Sequence, residues 1–437
     1  MNTQTPRALA LSLLLRCEND HLYSNLILDT AIRRGNLSEA DRGFLTALVY
    51  GVLEKRITLD YLIDSLSERP ANQLDTDVRV ALRLGLYQLR FMDRIPAHAA
   101  LNETVSLVSK RARGFVNAVL RRYTRQGNDI ALPDREKDPL AYLSVTFSFP
   151  LPLCERFVGI FGFDRVEQLF AAIDQTPPLT IRVNTCRIGV EELSARLSAA
   201  GADVSPALHA PNALRLNGGN PTVLPGFSDG DFFVQDEASQ VCVEAVDVRE
   251  GMTVLDICAC PGSKSFGMAI HLNHTGSLTA FDLHQNKLSL IEKGASRLGL
   301  TNISVAARDG RSFDPSLENC ADRVLCDVPC SGFGVLAKKP EIRYKDLSEL
   351  SPLPDIQLAI LENACRYVKS GGVLVYSTCT LFPEENEDNV HRFLSRHPEF
   401  SPCDFTVGDL SSEGGMLTLT PDRHGTDGFF VAKFVKE

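Results

Sequence analysis

The C-terminal half of the chain alternates short apolar runs with segments of helical periodicity, beginning near residue 236. Apolar runs of this length, separated by helices, are typical of a parallel sheet that is buried on both faces. We therefore predict a doubly wound, Rossmann-like α/β domain over residues 236–437. The predicted strands are residues 253–257, 277–281, 303–307, 323–328, 373–377 and 429–434.

The N-terminal part has a helical pattern instead. Leu9, Leu13 and Cys17 repeat at helical spacing. Ser38, followed three residues later by Asp41, resembles a capping box and predicts the start of a helix. We predict an all-helical bundle over residues 1–135.

A small subdomain is predicted between these two regions. A polar stretch at 127–139, which includes Gly127 and Asn128, is typical of a linker. Residues 140–235 are then predicted to form a small α/β subdomain. Its expected elements are strands at 179–183 and 213–216 and a helix at 190–200.

The composition is that of a globular protein, with 44% hydrophobic and 23% charged residues. No apolar run approaches the roughly 20 residues that a bilayer requires, and no signal-peptide cleavage pattern follows the apolar stretch at 8–15. We therefore expect a cytoplasmic location and no membrane partner. We also expect the protein to be a monomer. The 12 cysteines are expected to be reduced thiols, and because no CxxC pair occurs we predict no metal site.

A turn of small residues follows the first strand of the α/β domain and opens a helix. Such a turn lets a ligand approach the backbone, and amides at the amino end of a helix favour an anionic group. Asp282 follows the next strand, 20 residues after Gly262, which matches the spacing to a ribose-binding acid in dinucleotide folds. Asp309, after the third strand, is a candidate for an adenine amino group. Either acid alone is as readily a helix cap or a loop aspartate. Together with Asp256 they mark three successive strand ends and favour a ligand site.

Two cysteines follow the fourth and fifth predicted strands. Cys330 stands in Asp327-Val328-Pro329-Cys330-Ser331-Gly332, and Cys379 in Ser377-Thr378-Cys379. A buried structural thiol is the usual alternative, but both of these cysteines lie just past a strand end beside a turn. Two thiols and one carboxylate suit attack on a pyrimidine. A thiolate that adds at C6 of cytosine makes C5 nucleophilic, and Asp327 could hold the amino edge of the base.

These segments resemble the motifs of the RNA cytosine-5 methyltransferase family, the Nol/Nop/Sun group. The similar segments are 181–185 (IRVNT), 234–239 (VQDEAS), 256–264 (DICACPGSK), 327–332 (DVPCSG), 377–379 (STC), 383–386 (PEEN) and 425–430 (GTDGFF). In the N-terminal region, residues 83–89 (RLGLYQL), 97–103 (AHAALNE) and 115–121 (FVNAVLR) are similar to a NusB-like RNA-binding bundle. The resemblance covers nearly the whole chain, and this pairing of domains is similar to bacterial members that act on 16S rRNA.

The resemblance implies roles for individual residues. It implies that Cys379 is the nucleophile, that Cys330 helps to release the product, and that Asp327 takes part in catalysis. It further implies S-adenosyl-L-methionine as the cofactor and 16S rRNA, free or partly assembled, as the partner. The residues implied to contact the cofactor are Cys258, Ala259, Cys260, Pro261, Gly262, Ser263, Lys264, Asp282, Asp309 and Asp327.

The chain departs from the family pattern at the cofactor turn, where Cys260 and Ser263 replace an alanine and a glycine. If that second glycine requires a positive φ, Ser263 would strain the turn and weaken cofactor binding. Two other functions remain open. One is a DNA cytosine-5 methyltransferase, which would use the Pro-Cys thiol as nucleophile, and the other is a non-enzymatic RNA-binding assembly factor.

The formal net charge is −10, so RNA binding requires a local concentration of positive charge. One candidate, interpreted as an RNA-binding surface, comprises Lys110, Arg111, Arg113, Arg121 and Arg122, with Arg125 close by. A second basic group comprises Lys338, Lys339, Arg343 and Lys345. A solvated surface of no special function is an equally good interpretation of either group by itself.

Overall fold

The computed structural model describes residues 5–20, 24–35, 37–126 and 129–437. Gly127 and Asn128 of the predicted linker lie outside these residues. The chain forms two compact units, Met1–Asp174 with Lys338–Lys345 and Gln175–Ala337 with Asp346–Glu437. This division differs from the predicted limits of 1–135, 140–235 and 236–437, which stay a proposal.

The first unit is helical. Within the described residues its α-helices are α1 (Pro6–Asp20), α2 (Ser24–Arg34), α3 (Glu39–Glu54), α4 (Arg56–Leu66), α5 (Thr76–Phe91), α6 (Ala97–Leu107), α7 (Lys110–Gln126), α8 (Pro139–Phe147), α9 (Leu151–Phe161) and α10 (Phe163–Ile173). The predicted helix start at Ser38 is confirmed, because the Ser38 side chain accepts a hydrogen bond from the Asp41 amide, at 3.1 Å. Fully buried leucines such as Leu45, Leu59 and Leu84 form its core.

A 3-10 turn at Pro340–Tyr344 belongs to this first unit. Arg343 is 1% exposed, donates to the carbonyl oxygens of Glu54 (3.3 Å) and Phe147 (3.1 Å), and lies over the Phe149 ring. The prediction that Arg343 belongs to a surface basic group is therefore wrong, since its guanidinium satisfies carbonyl groups inside the unit. A count of charges along the sequence does not show which of them are buried.

The second unit begins with a small subdomain. Its elements are β1 (Leu179–Val183), α11 (Val190–Ala199), β2 (Val204–Pro206), β3 (Ala213–Leu216) and β4 (Phe232–Val234). The strands form one antiparallel sheet in the order β2-β3-β1-β4, and α11 packs against it through Leu193 and Leu197. The strands predicted at 179–183 and 213–216 and the helix predicted at 190–200 are confirmed.

A larger sheet fills the rest of this unit. The remaining elements are α12 (Glu237–Val246), β5 (Thr253–Asp256), α13 (Ser263–His271), β6 (Ser277–Asp282), α14 (Leu288–Leu298), β7 (Ile303–Ala307), β8 (Ala321–Asp327), α15 (Leu353–Ala364), β9 (Val368–Thr378), α16 (Glu387–Arg396), β10 (Phe400–Pro402), β11 (Thr406–Val407), β12 (Leu410–Ser411), β13 (Met416–Leu419), α17 (Pro421–His424) and β14 (Phe429–Lys436). The sheet order is β10-β14-β9-β8-β5-β6-β7, with β13 paired to β14.

All six predicted strands of the larger sheet occur, but the sheet is mixed. Strands β5 to β9 pair in parallel, whereas β14 runs antiparallel to β9. The expectation of a parallel sheet is therefore wrong for the last strand. Buried clusters cover both faces, one including Val241, Met268 and Ile291 and the other Leu358 and Phe393. The predicted fold class is confirmed: a helical bundle, a small α/β subdomain and a Rossmann-like domain.

In the described part of the chain, no helix combines the length and apolar character that crossing a membrane requires.

Candidate active site

The turn after β5 places backbone amides at the amino end of α13. Gly262 caps this helix with φ 109°, and a Cβ there would lie 2.8 Å from the Phe266 ring, so only glycine fits. Ser263 is the first helical residue and does not carry the left-handed conformation. The expected strain at Ser263 is therefore absent, because the positive φ falls one residue earlier.

Acidic residues at successive strand ends come together at one edge of the sheet. Strands β5, β6 and β7 are parallel neighbours, so the ends that precede Asp282 and Asp309 lie side by side. Asp282 accepts hydrogen bonds from the amides of Cys260 (3.2 Å) and His284 (2.9 Å), which ties it to the turn. Asp309 is ion-paired with Arg311 at 2.6 Å. This edge thus carries two carboxylates beside a row of helix amides.

An apolar side chain at the same edge was not singled out from the sequence. Leu283 follows Asp282 directly and is 58% exposed, although most leucines of this unit are buried. An exposed leucine beside a carboxylate at the end of a parallel strand is a candidate contact for a flat apolar group. Its position after Asp282 in the sequence was the available signal.

Asp256, at the end of β5, is 1% exposed and accepts a hydrogen bond from the Ser265 hydroxyl at 2.6 Å. Burial is the main reason that its pKa rises from 3.8 to about 7; the Ser265 hydrogen bond opposes the rise and the nearby Asp327 carboxylate adds to it. The carboxyl group therefore holds the first turn of α13 from inside the protein.

The two predicted cysteines meet at the ends of neighbouring parallel strands. β8 pairs with β9, with Asp327 opposite Ser377. The Sγ atoms of Cys330 and Cys379 lie 3.2 Å apart, and the Cys379 amide donates to Cys330 Sγ at 3.3 Å. The predicted proximity is confirmed. The pKa of Cys330 is raised well above its usual value, first by its hydrogen bond with Cys379 and then by burial.

A partly buried ion pair connects the start of α13 to the end of β8, three residues before Cys330. Lys264 Nζ lies 2.8 Å from Asp327 Oδ2 and 5.0 Å from the centre of the Phe429 ring, and Ser377 donates to Asp327 Oδ1 at 2.9 Å. Burial lowers the pKa of Lys264, but the Asp327 carboxylate, together with Cys242 and Cys379, raises it overall. The carboxylate of Asp327, at the end of β8, and the ammonium group of Lys264, in the first turn of α13, thus lie in one site.

A buried polar layer beneath the two thiols was also missed. It consists of Ser331, Gln357, Glu385 and Asn386, each 2% exposed or less. Two of these residues stand in the segment 383–386, which the sequence singled out without giving it a role. Their contacts depend on two loops that meet only in the folded protein.

In the first unit, the predicted basic residues lie along α7 and are exposed. Arg121 donates to the side-chain oxygen of Asn117 at 3.1 Å, and Arg122 to the carbonyl oxygen of Leu66 at 3.2 Å. Both partners are neutral, so these contacts leave the positive charges of Arg121 and Arg122 uncompensated. The surface is compatible with phosphate binding.

The chain matches three family models. Residues 243–435 match the 16S rRNA methyltransferase RsmB/F model, residues 4–125 the NusB family, and residues 149–222 the ferredoxin-like domain of RsmF/B-like methyltransferases. A relative from Bacillus subtilis, a probable ribosomal RNA small subunit methyltransferase B, is 36% identical over 100% of both chains. Another of that name, from Synechocystis, is 37% identical over 98% of this chain and 99% of its own.

A solved structure, the crystal structure of PH0851, has a TM-score of 0.79 at 28% identity and covers 99% of each chain. The fold and the site define a Rossmann-like enzyme domain joined to a NusB-type bundle. The chain belongs to the family of 16S rRNA methyltransferases RsmB/F, with full-length relatives in the methyltransferase B group.

Proposed function

We propose that this protein transfers a methyl group from S-adenosyl-L-methionine to C5 of a cytosine in 16S rRNA. The observation that carries the proposal is the 3.2 Å separation of the Cys330 and Cys379 thiols, at the ends of the neighbouring strands β8 and β9, with Asp327 three residues before Cys330. The names of the relatives support rRNA methylation; the cytosine, the C5 position and the covalent route are inferred from the residues and from the family motifs.

The residues at the carboxyl ends of β5, β6 and β7 fit S-adenosyl-L-methionine. The amides of Gly262, Ser263 and Lys264 at the amino end of α13 suit its carboxylate, and Asp282 suits the ribose hydroxyls. Residues Cys258, Ala259, Cys260 and Pro261 form the turn against which the cofactor would lie. Asp309 is assigned to the adenine amino group and Leu283 to the apolar face of the adenine ring. When bound, the cofactor supplies an electrophilic methyl group.

The two cysteines receive different roles. Cys379 Sγ adds to C6 of the cytosine, and the electron pair of the C5–C6 double bond moves so that C5 becomes nucleophilic. Asp327, held by Lys264 and Ser377, binds the amino edge of the base. After C5 has taken the methyl group, the C5 proton passes to water, the C5–H electron pair restores the C5–C6 double bond, and the C6–S bond breaks to regenerate the Cys379 thiolate. Cys330 assists this release from 3.2 Å away.

Substitution of each cysteine by alanine tests this assignment in a tritium-methyl assay on rRNA. We expect Cys379→Ala to be inactive, and Cys330→Ala to trap a covalent RNA adduct that survives denaturing electrophoresis. Both variants remove a small thiol, so each serves as the control for the other.

Other outcomes identify the two alternatives. Activity that survives Cys379→Ala and is lost with Cys330→Ala would indicate a mechanism like that of DNA cytosine-5 enzymes. Tight RNA binding without methyl transfer, unaffected by either substitution, would indicate an assembly factor.

The target base must be unstacked or single-stranded to reach the two thiols. We propose that free or partly assembled 16S rRNA is the substrate and that the protein acts as a cytoplasmic monomer. Lys110, Arg111, Arg113, Arg121 and Arg122 on α7 would hold the phosphates.

A further inference from the structure

Two consecutive buried residues, Glu385 and Asn386, lie between the catalytic cysteines and α16. Glu385 ends the 3-10 turn Pro383–Glu385, and Asn386 precedes the first residue of α16. They are 2% and 1% exposed. Burying a carboxylate is costly unless donors surround it, so the contacts of Glu385 show what its charge is used for.

Glu385 holds one neighbour of Cys330, Ser331, directly and the other, Pro329, through Gln357. The Ser331 amide donates to Oε2 at 2.9 Å and the Ser331 hydroxyl to Oε1 at 2.5 Å. Gln357 Nε2 donates both to Glu385 Oε2 (2.8 Å) and to the carbonyl oxygen of Pro329 (3.0 Å). The residues before and after Cys330 are therefore fixed by one carboxylate and its amide partner.

Asn386 does the same for Cys379. The Thr378 hydroxyl donates to Asn386 Oδ1 at 2.5 Å, and Asn386 Nδ2 donates to the carbonyl oxygen of Thr380 at 3.0 Å. These are the residues on either side of Cys379. A hydrogen bond of 2.8 Å between the hydroxyls of Ser331 and Thr380 joins the two sets of contacts.

We propose that Glu385 and Asn386 are positioning residues, Glu385 for the Cys330 thiol and Asn386 for the Cys379 thiol. Because the two residues are adjacent in the chain, this one segment sets the distance between the two thiols. The inference rests on the proposed function for the roles of the two thiols. Because each side chain holds a different cysteine, substitutions at the two adjacent positions should impair different steps of one reaction.

The charge of Glu385 has a further effect on Cys330. It contributes to the raised pKa of that thiol, after the hydrogen bond with Cys379 and burial. Glutamine at this position would remove the charge and place an NH2 group against a donor of Ser331 or Gln357. Both changes would loosen the Cys330 loop while leaving the contacts of Asn386 with Thr378 and Thr380 in place.

The test compares Glu385→Gln and Asn386→Ala in the full-length protein, with rRNA and S-adenosyl-L-methionine. We expect Glu385→Gln to form the covalent adduct but to release it slowly, so that adduct accumulates and turnover falls about 10- to 100-fold. We expect Asn386→Ala to slow adduct formation by a similar factor, about 10- to 100-fold, without accumulation. Asp388→Asn, an exposed acid in α16, should behave as wild type.

The outcomes separate this inference from the proposed function. Equal loss of both steps in both variants would overturn it, since a general structural role has that effect. If Asn386→Ala accumulates adduct and Glu385→Gln forms none, the positioning roles hold and the assigned roles of the two thiols are reversed.

If either variant fails to fold, milder changes address the same contacts. Gln357→Met removes the amide donor to Glu385 and to the carbonyl oxygen of Pro329, and Thr378→Val removes the hydroxyl donor to Asn386. The first variant should accumulate adduct and the second should form adduct slowly, each to a smaller extent than the substitution it replaces. The same defect in both variants would contradict the inference.

Discussion

At the scale of single residues, the buried carboxyl group of Asp256 makes the stability of the fold depend on pH. Its pKa in the folded protein is about 7, against 3.8 for the exposed group. The folded state therefore holds a proton that the unfolded chain releases. The protonated carboxyl group stabilises the fold relative to its ionised form, and this contribution is lost as the pH rises through the folded-state pKa.

Asp256→Asn tests this titration. Asparagine can still accept the hydrogen bond from Ser265 but does not ionise. Relative to wild type, the free energy of unfolding of the variant should increase as the pH rises from about 4 to about 7 and level off above that. Urea unfolding across this range gives the measurement. If the free energies of unfolding of the two proteins change with pH in parallel, the raised pKa of Asp256 is contradicted. Asp388→Asn, at an exposed position, is the control.

Single residues also show what the sequence could and could not predict. Cys330 and Cys379 were recognisable because each follows a strand, and parallel neighbouring strands bring their carboxyl ends together. Glu385 and Asn386 were quoted only as part of a motif, because their function lies in contacts with residues 6 to 54 positions away. Arg343 was misjudged, since its burial depends on packing within the first unit.

At the scale of elements, Gly334 and Gly428 bring two loops into close backbone contact. Gly334 donates to the carbonyl oxygen of Cys379 (2.9 Å), and its own carbonyl oxygen accepts from the Gly428 amide (2.8 Å). A Cβ on Gly334 would lie 1.9 Å from the Gly428 oxygen and 2.8 Å from that of Cys379. The cysteine loops and the start of β14 therefore have no space for a side chain here.

We expect Gly334→Ala to destabilise the second unit by about 1–3 kcal/mol through overpacking. Because the backbone of Cys379 must shift, methyl transfer should also fall, by about tenfold or more. Thermal unfolding and single-turnover assays measure the two effects. Gly159→Ala in α9 is the control, since its Cβ meets nothing within 4 Å and should leave activity unchanged. Full activity in Gly334→Ala would show that this contact does not position Cys379.

The elements themselves were largely predictable, because apolar runs and helical spacing are local properties. The direction of β14 was not. An apolar run fits a parallel or an antiparallel neighbour equally well, and the direction depends on how the chain returns to the sheet. Here β10 to β13 intervene, and β14 enters antiparallel between β9 and β10.

At the scale of the whole molecule, a net charge of −10 leads us to propose that rRNA binding depends on the exposed cations of α7. Replacing Lys110, Arg111, Arg113, Arg121 and Arg122 by glutamine should weaken rRNA binding. It should also flatten the dependence of log affinity on log salt by about 0.7 for each phosphate that the helix no longer neutralises. Filter binding at several salt concentrations measures both.

Arg135→Gln provides the matched control, because Arg135 is already ion-paired with Glu167 (2.9 Å) and Asp164 (2.8 Å). It removes a positive charge from the same unit and should leave the salt dependence unchanged. An equal reduction of affinity in the control would mean that overall charge, and not the α7 surface, governs binding.

The segment Lys338–Lys345 has a consequence for the order of events on the ribosome. The N-terminal bundle is translated first, but Ile342 and Arg343 are part of its buried interior. Until residue 345 has left the exit tunnel, the carbonyl groups of Leu53 and Phe147 lack the donors that Tyr344 and Arg343 provide. Folding of the bundle can therefore be completed only after residues 175–337 have been translated, although the bundle is the first part of the chain to be synthesised.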